Sequence, residues 1–367
     1  MIKTQELTVN MGPVHPSTHG VFRCVIKLDG EYVTDVENHT GYLHRGLEKL
    51  AESRTYTQFI PYTDRLDYVS GIMNNHAYVM AVEKLMPELE VPERAEYIRV
   101  ILAELQRMAN HMLFIGTFSL DVAGLTGLFY ALRDREYILE LLEEVTGSRL
   151  TPSFMRIGGV PEDLTPDWLA RTRKVIDDIE ARAIPEYNDL ITGNEIFQAR
   201  TKLTGIATKE QAIDWGWSGP NLRASGVPYD LRKDEPYSIY DRFEFDVPVG
   251  TNGDNFDRYY QRVLEIPESI KILRQAIDTI PEGPIMAKVP KVIKPPAGEV
   301  FFQYEHAKGQ LGFYIVSDGS TKPYRLRIYS PAFEALGLFP TIGKGCLVQD
   351  TVVTLASIDI VLGEVDR

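Results

Sequence analysis

The sequence predicts an α+β fold that is predominantly helical, with antiparallel β ribbons in its first and last parts. Apolar and polar residues alternate over 5–38 and again over 299–329, and both stretches contain a turn signal. In the long stretch between them, apolar residues recur three and four positions apart, which is the spacing of amphipathic helices. Tandem helices with short connections favour a bundle.

The elements are expected in three consecutive segments of one fold. Residues 1–40 should form a β ribbon in which Asp29-Gly30 makes a hairpin turn. Residues 41–290 should form the helical core. Residues 291–367 should complete the same fold with an antiparallel meander and a C-terminal helix at about 346–356. The helices predicted in the core cover 67–86, 92–115, 126–145, 166–192 and 254–280.

The charge and the cysteine content exclude several classes of protein. Lys and Arg number 39, Asp and Glu number 52, and the formal net charge is −13, which argues against nucleic-acid binding and against a polybasic membrane anchor. The two cysteines, Cys24 and Cys346, are too few for a disulfide framework, a four-thiolate zinc site or a self-sufficient iron–sulfur cluster. No apolar run approaches the roughly 18 residues of a membrane-spanning helix. Other proteins would have to hold this chain at a membrane.

The sequence does not contain a complete form of the common nucleotide-binding and metal-binding motifs. No complete Gly-x-Gly-x-x-Gly follows a predicted strand and opens a helix. The segment Gly343-Lys344-Gly345 is not a P-loop, because its last glycine stands where Ser or Thr must reach Mg²⁺. His15 and His19 have a zinc-like spacing, but Pro16 breaks the helix that would aim both rings at one ion. Hydrogen-bonded loop histidines are the better interpretation.

Five polar residues stand out as candidates, and the residues alone leave alternatives for each. His19 either ties a turn to the backbone or lines a polar pocket, and Tyr68 is either a half-buried core residue or a pocket residue. Asp121 either caps a helix beginning near position 122 or transfers protons from an apolar wall. Arg65 and Asp67 are a surface ion pair on the simplest interpretation. A polar pocket of His, Tyr and Asp does not fix the function.

Longer motifs resemble a known family, in order, from about residue 8 to the last residue. They are GPVHPSTHG at 12–20, GYLHRGLEK at 41–49, YTDRLDY at 62–68, FSLDVAG at 118–124, YIRVILAEL at 97–105, FYALRDRE at 129–136, RIGGV at 156–160, GPNLRASGVPYDLRK at 219–233, YDRFEFDVPVG at 240–250, VSDGS at 316–320 and DIVLGEVDR at 359–367. Together they resemble the D subunit of NADH:quinone oxidoreductase, respiratory complex I. That family is related to the large subunit of nickel–iron hydrogenases, so the resemblance implies a hydrogenase-like helical bundle with peripheral antiparallel β ribbons.

The resemblance also implies that a metal site has been lost. The hydrogenase binds its metals with two Cys-x-x-Cys pairs, which correspond here to Asp67 and Ser70 and to Val361 and Glu364. Soft metals need thiolate or imidazole donors, so no metal is expected in this chain. The ancestral metal pocket is expected to survive as a cavity for an organic ligand.

In the family, that cavity receives a quinone headgroup, and the resemblance assigns roles to four residues. His19 and Tyr68 resemble the pair that hydrogen-bonds the quinone carbonyls, and both side chains can then donate a proton to the reduced quinone. Asp121 resembles the carboxylate that pairs with the histidine and relays protons. Arg65 resembles the arginine near the iron–sulfur cluster of the neighbouring subunit, where a cation would raise the potential of the cluster.

The same resemblance implies the assembly in which the chain works. It would be a peripheral-arm subunit of a proton-pumping NADH:quinone oxidoreductase, a translocase that is active only when assembled. The expected partners are the iron–sulfur B subunit, the C and I subunits, the membrane-embedded H subunit and quinone, with no nucleic acid. The expected location is the cytoplasmic side of the cell inner membrane, as a peripheral subunit. Alternatives are a related ferredoxin- or hydrogenase-linked membrane complex, or a non-catalytic scaffold.

One position departs from the family pattern. Many members carry a histidine shortly before the Arg-x-Gly-Gly turn, here at 156–159, and Thr151 stands in its place. Losing a titratable cation predicts a lower and less pH-dependent potential for the partner's cluster, consistent with a low-potential acceptor such as menaquinone. A redox titration of the assembled complex checks this prediction, and a strongly pH-dependent cluster would contradict it.

Overall fold

The computed structural model describes residues 6–18 and 20–367. Within them the chain forms two small antiparallel sheets and a helical body, which confirms the predominantly helical α+β class. The first sheet has the order β1-β2-β3 and the second has the order β4-β5-β6. The strands are β1 (Glu6–Met11), β2 (Arg23–Asp29), β3 (Tyr32–His39), β4 (Gly298–His306), β5 (Gly309–Ser317) and β6 (Arg325–Tyr329).

The helices fill the long stretch between the two sheets and continue after the second sheet. They are α1 (Leu47–Ser53), α2 (Tyr56–Thr63), α3 (Gly71–Lys84), α4 (Glu93–Asp121), α5 (Leu125–Thr146), α6 (Pro166–Asp178), α7 (Ile184–Tyr187), α8 (Glu195–Thr201), α9 (Lys209–Asp214), α10 (Gly219–Ala224), α11 (Leu231–Asp234), α12 (Asn255–Thr279), α13 (Pro331–Ile342), α14 (Val348–Ser357) and α15 (Leu362–Asp366).

The first sheet has one buried face, and its hairpin is the predicted one. Asp29 pairs with Tyr32, and the intervening Gly30 has a φ of 65°, which a glycine adopts without strain. Along β2 the side chains alternate between buried and exposed, with Cys24, Ile26 and Leu28 facing inward. The apolar side chains of this face must pack against another surface to be excluded from water.

That partner surface comes from the other end of the chain. The buried face of the sheet shares a hydrophobic cluster with Phe339 of α13, Leu355 of α14 and Val365 of α15. The edge of β3 also continues into a C-terminal loop, because Val33 N donates to Cys346 O at 2.9 Å. The first and last parts of the sequence therefore form one packed unit.

Helix α4 is the centre of the helical body. It contacts α3, α5, α12 and α14, and its apolar residues are buried along most of its length. The spacing predicted this helix over 92–115, and it extends to Asp121. Helix α5 ends at Gly147, whose φ of 73° is the left-handed C-terminal cap expected of a glycine.

The helix predicted over 166–192 is present, but two of its turns are π-helical and not α-helical. Two π-helical turns, Ile179–Ala183 and Asn188–Thr192, flank α7. Pro185 in α7 has no N–H for the regular ladder, and the hydrogen bonding switches to the wider π pattern on both sides of it. The helix therefore continues through a proline without ending.

Buried ion pairs connect several helices and a strand in the centre of the helical body. Arg223 of α10 is fully buried and donates to Glu265 of α12 and Glu305 of β4, both at 2.8 Å. Glu104 of α4 is also fully buried and accepts from Arg232 at 3.2 Å. Each of these charges has a direct counter-charge, and such pairs hold the elements in one relative position.

Candidate functional site

The turn between α2 and α3 places the candidate residues at the boundary between core and surface. The Asp67 carboxylate turns inward, where its Oδ1 accepts from Val69 N at 3.0 Å, and Asn74 donates to the Asp67 backbone carbonyl at 2.8 Å. Asp67 is fully buried, whereas the next residue, Tyr68, is 41% exposed. Tyr68 is therefore not a core residue.

Helix α15 packs directly against this turn. A Cβ atom on Gly363 would lie 2.5 Å from Leu66 O, so only glycine allows this approach. Arg45 bonds to both sides of the contact, with Nη1 donating to Arg65 O at 2.8 Å and Nη2 to Gly363 O at 2.5 Å. The close approach brings the turn and the C-terminal segment into one site.

The four positions that the resemblance aligns with hydrogenase metal ligands all lie inside the protein. Asp67, Ser70 and Glu364 have no exposed surface, and Val361 is 6% exposed. The ancestral site is thus filled by packed side chains, and a ligand would have to bind beside them.

His306, the last residue of β4, and Lys308, in the turn that follows it, complete a buried acid cluster, which we define as Asp67, Asp359, Glu364, His306 and Lys308. Lys308 Nζ lies 2.8 Å from Asp359 Oδ1 and 3.9 Å from Asp67 Oδ2. His306 Nε2 lies 3.8 Å from the same Asp67 oxygen. One lysine thus faces three carboxyl groups.

Burial controls the protonation of this cluster. Burial raises the pKa of Asp67, with Asp359 adding to the rise and Lys308 opposing it. Burial and the charge of Asp67 raise the pKa of Glu364 well above its usual range. Burial also disfavours the charged form of Lys308, but Asp359 and Asp67 outweigh it and raise the pKa of the lysine. The cluster therefore combines a cation with two carboxyl groups, Asp67 and Glu364, whose charged forms are disfavoured by burial.

Tyr68 lies at the outer edge of the buried acid cluster. Burial of its hydroxyl, and then the charge of Asp67, raise the pKa of the Tyr68 phenol, while Lys308 acts in the opposite direction. The phenol is therefore protonated at neutral pH. A protonated hydroxyl on an exposed ring can donate a hydrogen bond and then a proton to a bound molecule.

His19 lies outside the described residues, but both of its neighbours are described. The Thr18 hydroxyl donates to His15 O at 2.7 Å and to Gly20 O at 2.9 Å. A Cβ atom on Gly20 would lie 3.5 Å from the Leu362 side chain, so this part of the loop lies against the start of α15. Gly20 and the turn that carries Tyr68 therefore contact adjacent residues of the C-terminal segment.

Asp121 is the last residue of α4, not the cap of the next helix. Helix α5 begins at Leu125 after Gly124, so the predicted cap of a helix near position 122 is wrong. The C-terminal end of a helix disfavours a negative charge. Asp121 lies eleven residues beyond Asn110, or roughly 16 Å along the helix axis, and Asn110 donates to Ser70 Oγ at 2.7 Å.

Arg65 points away from the buried acid cluster. Its guanidinium donates to Pro61 O at 2.6 Å and lies 3.7 Å from Asp64 Oδ2. Half of the Arg65 side chain is exposed, whereas Asp67 is fully buried and faces Lys308. The predicted surface ion pair of Arg65 with Asp67 is therefore wrong.

The segment around Thr151, the position at which this sequence lacks the histidine of many family members, is conformationally strained. Thr151 and Ser153 have φ angles of 44° and 45°, and neither is a glycine. Ser153 N donates to Asp64 Oδ1 at 3.3 Å, and Arg156 donates to the carbonyl of Ser153. Burial raises the pKa of Asp64 to about 6. A titratable group thus remains beside Thr151.

The described part of the chain contains neither a group of metal ligands nor a membrane-spanning helix. Across residues 6–18 and 20–367, no group of three or more His, Cys, Asp or Glu side chains is arranged to hold a metal ion. No helix in the same part of the chain is both long enough and apolar enough to cross a membrane.

Comparison with known proteins decides the family. The sequence model of the family described as respiratory-chain NADH dehydrogenase, 49 kDa subunit, matches residues 121–296 and 289–367. The chain belongs to this family. It is 59% identical over 365 residues to the NADH-quinone oxidoreductase D subunit of Desulforamulus reducens, in an alignment that covers all of this chain and 99% of the relative. The proteins of the same name from Clostridium beijerinckii and Bacillus mycoides are 57% and 50% identical over comparable lengths.

Family membership confirms the resemblance inferred from the motifs, and the chain is therefore a subunit of an oxidoreductase complex. Sequence reasoning nevertheless missed His306 and Lys308. They lie at the end of β4 and in the short turn that follows it, where charged residues are common and no pattern distinguishes them. Only the folded structure brings them beside Asp67, which is more than 200 positions away in the sequence.

Proposed function

We propose that this chain forms the quinone headgroup site of a proton-pumping NADH:quinone oxidoreductase together with a neighbouring iron–sulfur subunit, and that it protonates the reduced quinone. The observation that carries the proposal is Tyr68. Its exposed, protonated phenol lies at the edge of the packed site that corresponds to the hydrogenase metal centre. A ligand bound beside that site would contact the ring from outside.

The chemistry of quinone reduction requires such a group. Reduction to quinol takes two electrons and two protons, and the developing negative charge on each oxygen makes it a stronger base. In this proposal the electrons come from the iron–sulfur cluster of the neighbouring subunit. Tyr68 hydrogen-bonds one quinone oxygen and gives it a proton. His19 is proposed for the other oxygen, and the contact of Gly20 with Leu362 supports a position nearby.

Two further roles remain proposals from the resemblance. Asp121 is proposed to relay protons toward His19, and α14 contacts both α4 and the turn at Pro16–Thr18, which supports a connection. Arg65 is proposed to face the partner's cluster, and its half-exposed side chain supports this. The weak pH dependence predicted for that cluster stays a prediction, with Asp64 as the remaining titratable group nearby, its pKa raised by burial.

The proposed setting is an assembly with the B, C, I and H subunits on the cytoplasmic side of the cell inner membrane. Several large apolar side chains are exposed in the isolated chain, including Phe129, Ile196 and Leu203 at 62%, 70% and 73%. Exposed apolar surface of this kind is typical of protein interfaces, which supports a place inside a complex.

Replacing Tyr68 in the assembled enzyme tests the proposal. Tyr68→Phe removes the hydroxyl and keeps the ring, so we expect quinone reduction to fall roughly 10²-fold. His19→Ala should have a comparable effect. Electron transfer to a soluble acceptor upstream of the quinone site should not change, and it reports on assembly.

Tyr324→Phe is the matched control, because Tyr324 is 69% exposed and its backbone N–H pairs with Val316 O of the second sheet. It should leave quinone reduction unchanged. Normal quinone reduction by fully assembled Tyr68→Phe and His19→Ala enzymes would show that the chain is a scaffold and not part of the reaction.

A further inference from the structure

Hydrogen bonds hold the backbone on both sides of Tyr68, in the turn between α2 and α3. Before it, the Asp67 carbonyl accepts from Ser70 N at 3.0 Å and from Asn74 Nδ2 at 2.8 Å. After it, Val69 N donates to Asp67 Oδ1 at 3.0 Å. These bonds give the turn a defined shape. They do not fix where the turn lies relative to the rest of the site, and that placement needs contacts from another element.

Two side-chain amides of α4 supply those contacts. Gln106 Nε2 donates to Val69 O at 2.7 Å. One helical turn later, Asn110 Nδ2 donates to Ser70 Oγ at 2.7 Å. Gln106 is 5% exposed and Asn110 is 1% exposed, so bulk water does not compete for either bond. Residues four positions apart share one face of a helix, and this face of α4 binds the two residues that directly follow Tyr68.

The same stretch of α4 also holds the end of β4 and the turn after it. Lys308 Nζ lies 3.4 Å from Asn110 Oδ1 and 2.8 Å from Asp359 Oδ1. Arg107 Nη2 donates to Glu305 O at 2.6 Å. A single helix segment therefore fixes the turn that carries the tyrosine and the strand end that carries the lysine in one relative position.

We propose that Gln106 and Asn110 are positioning residues for Tyr68, which set the place of its phenol relative to the bound quinone and do not touch the quinone themselves. This inference rests on the proposed function of Tyr68. The ring is 41% exposed, so its place depends largely on the backbone that α4 holds. Proton donation needs the hydroxyl within hydrogen-bond distance of the quinone oxygen, and a displacement of about 1 Å can cost roughly 10²-fold in rate.

A double-mutant cycle in the assembled enzyme tests this role. Gln106→Met keeps the length of the side chain and removes the donor to Val69 O. We expect kcat for quinone reduction to fall roughly tenfold, with KM within about twofold of its normal value. In a Tyr68→Phe background the same substitution should cause no further fall, because the hydroxyl that it displaces is already absent. Electron transfer to a soluble acceptor upstream of the quinone site reports on assembly of each variant.

A pair of substitutions at Asn110 gives a second test, which also decides the matter if Gln106→Met does not assemble. Asn110→Leu removes the contacts with Ser70 and Lys308, whereas Asn110→Asp keeps an oxygen that can accept from the serine hydroxyl and from the lysine. Asn110→Asp should therefore retain a kcat roughly fivefold higher than that of Asn110→Leu.

Gln275→Met is the matched control. Gln275 Nε2 donates to Glu244 O at 2.7 Å, which is the same kind of bond at the same length, near the surface of α12. This variant should leave quinone reduction unchanged.

The outcomes distinguish the two proposals. If Tyr68→Phe slows quinone reduction but Gln106→Met and Asn110→Leu turn over normally, the positioning role is wrong and the proposed function stands. An equal fall in kcat with and without the Tyr68 hydroxyl would mean that the amides do not act through the tyrosine, and it would overturn the role, as would a higher KM with unchanged kcat. Equal losses in the two Asn110 variants also count against it. Normal turnover by Tyr68→Phe would instead refute the proposed function.

Discussion

Asp64 shows how one buried carboxyl makes the stability of a fold depend on pH. Its side chain is fully buried next to the strained segment around Ser153, and burial raises its pKa from 3.8 to about 6. The folded chain therefore binds a proton more tightly than the unfolded chain. Folding stability falls as the pH rises from about 4 to about 6, and it stays lower above that range.

Asp64→Asn should remove this pH dependence. The raised pKa corresponds to about 3 kcal/mol of lost stability at neutral pH, so the variant should gain up to about that amount at pH 7 and little below pH 4. Urea unfolding of the purified chain at several pH values measures the difference. Asp214→Asn, at an exposed position, is the control. An equal gain at pH 4 and pH 7 would exclude the raised pKa as the cause.

Among the elements, α12 depends on the cap at its first turn. Asp254 is fully buried and accepts from Asp257 N and from Leu203 N, both at 2.8 Å. It therefore caps the start of α12 and also accepts a hydrogen bond from the loop after α8. The exposed Thr165, which caps α6 by accepting from Trp168 N at 3.2 Å, has only the first of these functions.

Asp254→Ala should destabilise the chain more than Thr165→Ala. Losing an ordinary cap costs about 1 kcal/mol, and losing the second hydrogen bond, from Leu203 N, adds about 1 kcal/mol. Thermal unfolding of the two variants gives the comparison. Equal losses would mean that the contact with Leu203 contributes nothing.

The elements also show what the sequence could and could not predict. The long amphipathic helices α5 and α12, the continuous helical run from the start of α6 to Thr192, and the hairpin at Gly30 were predicted to within a few residues, because their periodicity or turn chemistry is local. Helices α13 and α15 were not predicted. Helix α13 contains Pro331 and Pro340 and is apolar on most sides, and α15 has only five residues, so neither displays a readable period.

The site was predictable only where a motif marked it. The motifs and the resemblance singled out Tyr68 and four positions aligned with hydrogenase metal ligands, and Asp67, Ser70, Val361 and Glu364 at these four positions are buried. The side chains that set the charge there could not be predicted. Lys308 reaches Asp67 and Asp359 only after the second sheet has packed against the helical body, and pairing at that range leaves no local pattern.

At the scale of the whole molecule, the contact at Gly363 joins distant parts of the chain. Gly363→Ala would place a methyl group 2.5 Å from Leu66 O, so the C-terminal segment must shift. We expect a loss of about 1–3 kcal/mol of stability and reduced quinone reduction by the complex. Gly298→Ala is the matched control, because no atom lies within 4 Å of the added methyl group.

Thermal unfolding and quinone turnover of both glycine variants measure this effect. The Gly298 variant should stay within about 0.5 kcal/mol of the unmodified chain. If Gly363→Ala is equally harmless, the C-terminal segment does not hold the site in place, and the geometry around Tyr68 must depend on other contacts.

The shared hydrophobic cluster of the first sheet with α13, α14 and α15 has a consequence for biosynthesis. The ribosome makes β1 to β3 first, but the residues that cover their apolar face are among the last to emerge. Throughout translation the nascent chain therefore carries an uncovered apolar sheet with an open edge, and such surfaces aggregate readily. Folding of this chain has to be largely post-translational, and its yield in the cell should depend on chaperones that shield the nascent N-terminal sheet.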